Sequence, residues 1–228
     1  MPTALVVGAS SGIGLAMVRR LVARDFAVIG IARRPSELTH DRYRHVIADV
    51  CAVDFSTTLE GALGTAVPEI CLYTAGVGKE IDLDDLSIEA DVFRTNLVGA
   101  VVTAEVVIPR MLRAKAGHFV GLSSQADQMT DGSAPSYAAS KAGLTSYLEG
   151  LARAVRPHGV AVTNIRFGFV DTEMAKSSIR PFMISADRAA VLVERCLERR
   201  PIRYTYPWRM AALLWLVRGA RRLMFWKP

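Results

Sequence analysis

Residues 123–141 read SSQADQMTDGSAPSYAASK and contain a hydroxyl, a phenol and an ammonium that a fold could bring onto one small polar atom. Tyr137 and Lys141 stand four residues apart in SYAASKAGLTSYLEGLARAV, whose apolar residues recur at helical spacing. Both side chains therefore leave one face of a predicted helix. A free tyrosine has a pKa near ~10 and is a poor acid or base at neutral pH. A lysine cation beside it favours the phenolate and draws that pKa toward the working range. Ser124 follows the apolar run 117–122, which reads as a buried strand ending in a loop, and its hydroxyl could hold a carbonyl oxygen for protonation. A tyrosine and a lysine at this spacing also occur on ordinary surface helices, so the pair has to be judged with the elements that position it.

The first of those elements opens the chain. TALVVG, residues 3–8, is a short β-rich apolar run, followed at once by GASSGIG and then by LAMVRRLVARD with helical periodicity. Strand, glycine turn and helix in that order make a phosphate loop. Gly8 permits the tight turn, Gly12 lets a pyrophosphate approach the backbone, and Gly14 lets the helix lie close to the strand. The helix start offers free N–H groups and the positive end of its dipole, and Ser10 and Ser11 can add hydrogen bonds. No G-K-[ST] follows, which excludes a P-loop nucleotide hydrolase.

With these residues in place the sequence resembles the short-chain dehydrogenase/reductase family. Gly8-x3-Gly12-x-Gly14 is similar to its cofactor loop, and Tyr137-x3-Lys141 to its catalytic pair. Ser124 lies thirteen residues before the tyrosine, as the family's serine does, and this spacing selects it over Ser123. Asn96, in FRTNLVGA, falls where the family has its fourth catalytic residue, midway along a long helix. The likeness runs from Thr3 to Thr172. It implies that Tyr137 is the general acid/base and that Ser124 positions and polarises a substrate carbonyl. Lys141 would lower the tyrosine pKa and hold the nicotinamide ribose, and Asn96 would sit at a helix irregularity that admits a water chain. The G-x-x-G-x-x-G of the extended relatives is absent, which points to a simple oxidoreductase.

The resemblance extends to a cofactor site comprising Gly8, Ser10, Ser11, Gly12, Ile13 and Gly14. The second strand, AVIGIA, ends at Ala32 and is followed by Arg33 and Arg34. NAD enzymes of this fold place an acid there for the ribose 2′-hydroxyl, whereas an arginine fork suits a 2′-phosphate. The expected cofactor is therefore NADP(H), with Arg33 the first contact and Arg34 the second. Asp49, closing a third strand HVIAD, and Val50 are implied to meet the adenine. The fourth strand, 69–76, ends in YTAG, so only Ala75 and Gly76 match the family's N-N-A-G. In FGFVDT, Gly168, Val170 and Thr172 match, and Val170 and Thr172 are implied to hold the nicotinamide carboxamide.

A chain of 228 residues, 51% hydrophobic, in which predicted strands alternate with helices, fits one α/β domain. The expected fold is a single doubly wound parallel sheet of Rossmann type with helices on both faces. It comprises residues 1–206, with residues 207–228 as an extra basic, apolar C-terminal helix. The cofactor motif starts so early that no signal peptide is expected. Cys51, Cys71 and Cys196 are scattered and odd in number, which suits a reducing cytoplasm, and no spacing suggests a metal site. His40, His45, His118 and His158 are isolated and read as surface or strand-edge residues.

The net charge of +6 belongs to the end of the chain: residues 199–228 hold eight of the 28 Lys and Arg and no acid. Nothing else suggests nucleic-acid recognition. The tail WRMAALLWLVRGARRLMFW is too interrupted by arginines to span a bilayer. It could lie in a membrane interface, pack on the domain or make a dimer contact. The segment 173–184 stands where the family has its substrate lid, and Met174, Ile179, Phe182 and Met183 would favour a hydrophobic carbonyl or alcohol. Homodimerisation through helices 88–113 and 136–155 is what the resemblance implies. Read together, the residues describe an NADP(H)-dependent carbonyl reductase or alcohol dehydrogenase. The alternatives are a non-catalytic NADP(H) sensor and a membrane-associated scaffold.

Overall fold

The computed structural model describes residues 1–129, 132–173 and 181–212. Its sheet grows from the apolar runs of the sequence, which become β1 (Thr3–Val7), β2 (Ala27–Ala32), β3 (Tyr43–Ile47), β4 (Ile70–Tyr73), β5 (His118–Ser124) and β6 (Ala161–Phe167). With β9 (Arg203–Tyr206) they form one seven-stranded sheet in the order β3-β2-β1-β4-β5-β6-β9, and every pairing is parallel. Parallel strands need crossover helices, which cover both faces and explain why the strands read as continuous apolar runs. A two-residue pair, β7 (Val170–Asp171) with β8 (Ile184–Ser185), lies beyond β6.

Alternate residues of each strand serve opposite faces. Leu5 and Val7 join a core with α2 (Phe55–Leu63), α4 (Gly99–Ala114) and α5 (Pro135–Val155). Ala4 and Val6 join a second core with α1 (Gly12–Ala23) and α6 (Ala186–Arg199). Pro135 is well suited to the first turn of α5, where its missing N–H would have no helical partner. At the start of α6 the Ser185 hydroxyl accepts from the Arg188 N–H at 3.1 Å, a side-chain cap. Leu148 of α5 is fully buried over Gly121 of β5, where an added Cβ would come within 2.5 Å of its Cδ1. This close fit sets the distance between the helix that carries Tyr137 and Lys141 and the strand that ends at Ser124.

Several expectations shift. The third strand ends at Ile47, so Asp49 sits two residues past it, in the loop leading to α2. The long helix expected over residues 88–113 runs as α3 (Glu89–Phe93), a π-helical turn (Arg94–Val98) and α4, and Asn96 lies in that turn, at the irregularity the resemblance implied. His118 is not at the surface: it is 1% exposed and bonded to Thr163 Oγ1 at 2.8 Å. Burial lowers its pKa to about 4, so it stays a neutral imidazole. Met174, Ile179 and residues 213–228, most of the expected C-terminal helix, lie outside the described residues. Phe182 and Met183 are exposed, while Met210 is buried against Gly168. No helix among the described residues is long and apolar enough to cross a membrane.

Leu148→Ala is expected to remove about 2–5 kcal/mol of stability, because the α5–β5 contact cannot collapse onto a glycine. Urea unfolding followed by circular dichroism checks it.

Candidate active site

In a doubly wound sheet a ligand crevice opens outside the carboxyl ends of the strands where the strand order reverses. Here that point lies between β1 and β4, and β5 and β6 end beside it. The turn after β1 is built for close approach. Gly8 has φ +93° and Gly12 has φ +54°, conformations that favour glycine. An added Cβ on Gly14 would overlap the Gly8 carbonyl, while one on Gly12 would come within 3.1 Å of the Thr172 side chain. Ser11 stands at the N-cap of α1, yet its hydroxyl accepts from Arg34 Nη2 at 3.2 Å rather than capping the helix. The first N–H groups of α1 thus face the crevice, a donor set that fits a pyrophosphate. Ile13 is partly buried against the α1 side of the core.

The two residues that replace the family's asparagines bond locally through hydroxyls. Thr74 Oγ1 donates to the Val7 carbonyl at 2.9 Å, tying β4 to the glycine turn. Tyr73 is fully buried, and its hydroxyl donates to the Thr95 carbonyl at 2.5 Å. Gly99 leaves room for this phenol, because a Cβ there would strike its oxygen. Thr95 belongs to the π-helical turn, so Tyr73 braces the irregularity that carries Asn96. The Asn96 side chain is fully buried. It accepts from Val77 N at 2.8 Å and donates to Val77 O at 2.9 Å and to Ser140 Oγ at 3.0 Å. Ser140 in turn donates to the Tyr137 carbonyl at 2.8 Å.

Ser124 is the last residue of β5; its hydroxyl accepts from the Ala126 N–H at 3.1 Å, points to the Phe167 carbonyl at 3.5 Å, and lies near enough to the Tyr137 phenol to lower its pKa. Ser123, the rival serine, faces the other way and bonds Thr145 Oγ1 at 2.8 Å. Lys141 is 5% exposed; its Nζ donates to the Leu122 carbonyl at 2.9 Å and lies 5.8 Å from the Tyr137 ring centre. Burial pushes the Lys141 pKa down to about 8. Burial raises the Tyr137 pKa, the nearby Ser124 hydroxyl lowers it and the Asp127 charge raises it. The net direction is upward, set first by desolvation, against the fall expected from the helical spacing. Gly78, which sequence reasoning passed over, covers the phenol ring: a Cβ there would come within 3.1 Å of it.

Thus Asn96, Ser124, Tyr137 and Lys141 meet at one end of the sheet, beside the turn of Gly8 to Gly14. Ala75 and Gly76 follow β4, and the Ala75 N–H donates to Val7 O at 3.0 Å. Gly168 follows β6, Val170 lies in β7, and Thr172 is beside Gly12. Asp49 accepts from the Cys51 N–H at 2.9 Å, and Arg33 Nη1 stands 3.9 Å from its other oxygen. Val50 packs toward Gly99. Arg34 pairs with Glu173 at 2.7 Å.

Tyr73→Phe is expected to leave the Thr95 carbonyl without its donor and to cost about 1–3 kcal/mol, measured by chemical denaturation.

Comparison with known proteins gives a consistent picture. The family described as short chain dehydrogenase matches residues 2–181. An uncharacterized oxidoreductase of Myxococcus xanthus is 32% identical over 92% of this chain and 88% of its own length. The 3-oxoacyl-acyl-carrier-protein reductase FabG of Vibrio harveyi is 30% identical over 76% of this chain and 75% of its own. Among solved structures, a short chain dehydrogenase from Burkholderia cenocepacia in complex with NADP superposes with a TM-score of 0.87 at 21% identity, covering 100% of this chain and 98% of that one. A 4-hydroxyisoleucine dehydrogenase complexed with NADH reaches 0.81 at 20% identity, covering 90% and 96%. These last two are likenesses of fold.

Proposed function

This chain belongs to the short-chain dehydrogenase family and is an oxidoreductase, and we propose that within the family it is an NADP(H)-dependent enzyme reducing a hydrophobic ketone or aldehyde. One observation carries the reading: the buried Lys141, bonded to the Leu122 carbonyl two residues before Ser124 at the end of β5, stands 5.8 Å from the ring of Tyr137 on the same helix.

In this reading the Tyr137 phenol donates its proton to the carbonyl oxygen, and the Ser124 hydroxyl holds that oxygen in line. A phenol whose pKa is raised by burial is already protonated at neutral pH. That state suits reduction; alcohol oxidation needs the phenolate and is favoured at alkaline pH. Lys141 supplies a cation beside the phenol and a donor for the ribose hydroxyls. Asn96 holds the loop after β4 against Ser140, and through it the Tyr137 backbone. When bound, the reduced nicotinamide supplies the hydride.

The chain's own residues fit such a cofactor. Gly8, Ser10, Ser11, Gly12, Ile13 and Gly14 with the start of α1 would take the pyrophosphate, and Asp49, Val50, Ala75 and Gly76 the adenosine side. Gly168, Val170 and Thr172 would take the nicotinamide side. Relatives of the fold are described with NADP and with NADH, so the choice between them rests on this chain. Arg33 and Arg34 follow β2 where an acid would repel a 2′-phosphate. The contact of Arg34 with Ser11 favours Arg34 as the nearer of the two.

Titration with NADPH and NADH tests the cofactor. Arg34→Ala is expected to weaken NADPH about tenfold or more while NADH changes little, since charge-assisted hydrogen bonds are lost only with the former. Equal losses for both would remove Arg34 as the discriminator. Tyr137→Phe is expected to lower turnover of a carbonyl found by NADPH-consumption screening by about 10²–10⁴-fold, with NADPH affinity kept. Turnover near wild type would exclude the assigned proton donor.

A further inference from the structure

Directly behind Ser124 lies an ion pair that the reaction as described does not use. Asp127 sits in the 3-10 turn Gln125–Gln128, which starts where β5 ends. Arg166 of β6 reaches it with a two-bond fork: Nε donates to Oδ2 at 2.6 Å, and Nη2 donates to Oδ1. The two side chains are only 6% and 3% exposed. Asp127 Oδ2 also accepts from Thr145 Oγ1 at 2.8 Å, and Thr145 is bonded to Ser123. Arg166 Nη1 extends to Thr205 of β9 at 3.4 Å. Thr145 lies one helical turn beyond Lys141 and two beyond Tyr137 on α5. This one cluster therefore joins the end of β5, the catalytic helix and the strands β6 and β9.

We propose that Arg166 and Asp127 are a positioning pair for the reaction, fastening the turn behind Ser124 to the catalytic helix and keeping a carboxylate close to Tyr137 neutralised. The proposal rests on the reading of Tyr137 as the acid/base. Stability alone gives little reason for the pair, because burying two charges costs about what their attraction returns and apolar replacements often do as well. A guanidinium fork does provide direction, with two parallel bonds that set the angle of the turn. The pair also has an electrostatic task. Asp127 disfavours the phenolate of Tyr137, and Arg166 is the cation in contact with that carboxylate. Arg203 of β9 also feels the Asp127 charge, and Lys141 and Glu149 lie on the same helix as Thr145. Glu149 and Arg203 are paired with each other by two bonds. Loss of Arg166 would leave Asp127 buried with the hydroxyl of Thr145 but without its fork.

The sign of the effect follows. An unpaired carboxylate raises the phenol pKa, so the phenolate needed for alcohol oxidation forms only at higher pH. The experiment is the pH profile of alcohol oxidation, using the alcohol of the carbonyl found by screening and the cofactor selected by titration. It compares wild type with Arg166→Met, Arg166→Lys, the double variant Asp127→Asn/Arg166→Met, and Tyr137→Phe. Arg166→Met is expected to move the acid limb up by about one pH unit and to lower kcat about tenfold. The double variant should bring the limb back to the wild-type position. Arg166→Lys, which keeps the charge and loses the fork, should lower kcat with the limb and KM unchanged.

A superimposable Arg166→Met profile, or a shift that persists in the double variant, overturns the proposal. Should Arg166→Met fail to fold, a wild-type kcat in both the double variant and Arg166→Lys overturns it, and a lowered kcat at unchanged KM supports it. Turnover that survives Tyr137→Phe, or no carbonyl turned over at all, removes the underlying acid/base reading instead.

Discussion

An ammonium buried between a helix and a sheet needs an oxygen, and the Leu122 carbonyl, 2.9 Å from Lys141 Nζ, provides it. The bond is possible only because α5 lies close against β5, and that approach depends on Gly121 accepting Leu148. Burial lowers the lysine pKa to about 8, which leaves it mostly cationic at neutral pH. Tyr137 is four residues away on the same helix, so the geometry that holds the lysine also sets the phenol at the end of β5. The placement of the phenol thus follows from one helix–strand distance.

The face of α5 toward the sheet is unusual for a core helix. Lys141, Thr145 and Glu149 recur at helical spacing and bond to Leu122, Asp127 and Asn164 respectively. An apolar stripe there would bury as much surface with less desolvation cost. Leu144 and Leu148, both fully buried beside it, carry the packing. The polar stripe adds direction to that packing. Each bond resists sliding of the helix along the sheet, which dispersion contacts alone resist weakly.

Much of this was legible in the sequence because the signals were local. Strand, glycine turn and helix at Thr3 to Ala23 are set by periodicity and by glycines whose positive φ the structure then requires. The Tyr137–Lys141 spacing reads directly as one helix face. What escaped depends on partners distant in the chain. His118 reads as an isolated polar residue until Thr163, 45 positions later, is brought against it. Tyr73 reads as a departure from a motif until Gly99 and Thr95 show the space and the acceptor it fills. The sign of the Tyr137 shift was missed for a similar reason. Spacing reveals a neighbouring cation, whereas desolvation depends on everything that closes over the ring, Gly78 included.

The ion pairs around the crevice divide by burial, and that division matches what each must do. Arg33 with Asp49 and Arg34 with Glu173 are more than two-fifths exposed on every partner, the range in which a pair contributes about 0–1 kcal/mol. Such pairs exchange easily, so an incoming anion can take either guanidinium from its carboxylate at small cost. Arg166 with Asp127, almost fully buried, cannot exchange: separating it would strand a charge away from water. Arginines at the mouth are therefore available to a ligand, and the arginine beneath Ser124 is not. A protein that used its buried arginine to bind and its exposed ones to brace would lose both affinity and alignment. The observed order places exchangeable charge at the mouth of the crevice and fixed charge behind Ser124.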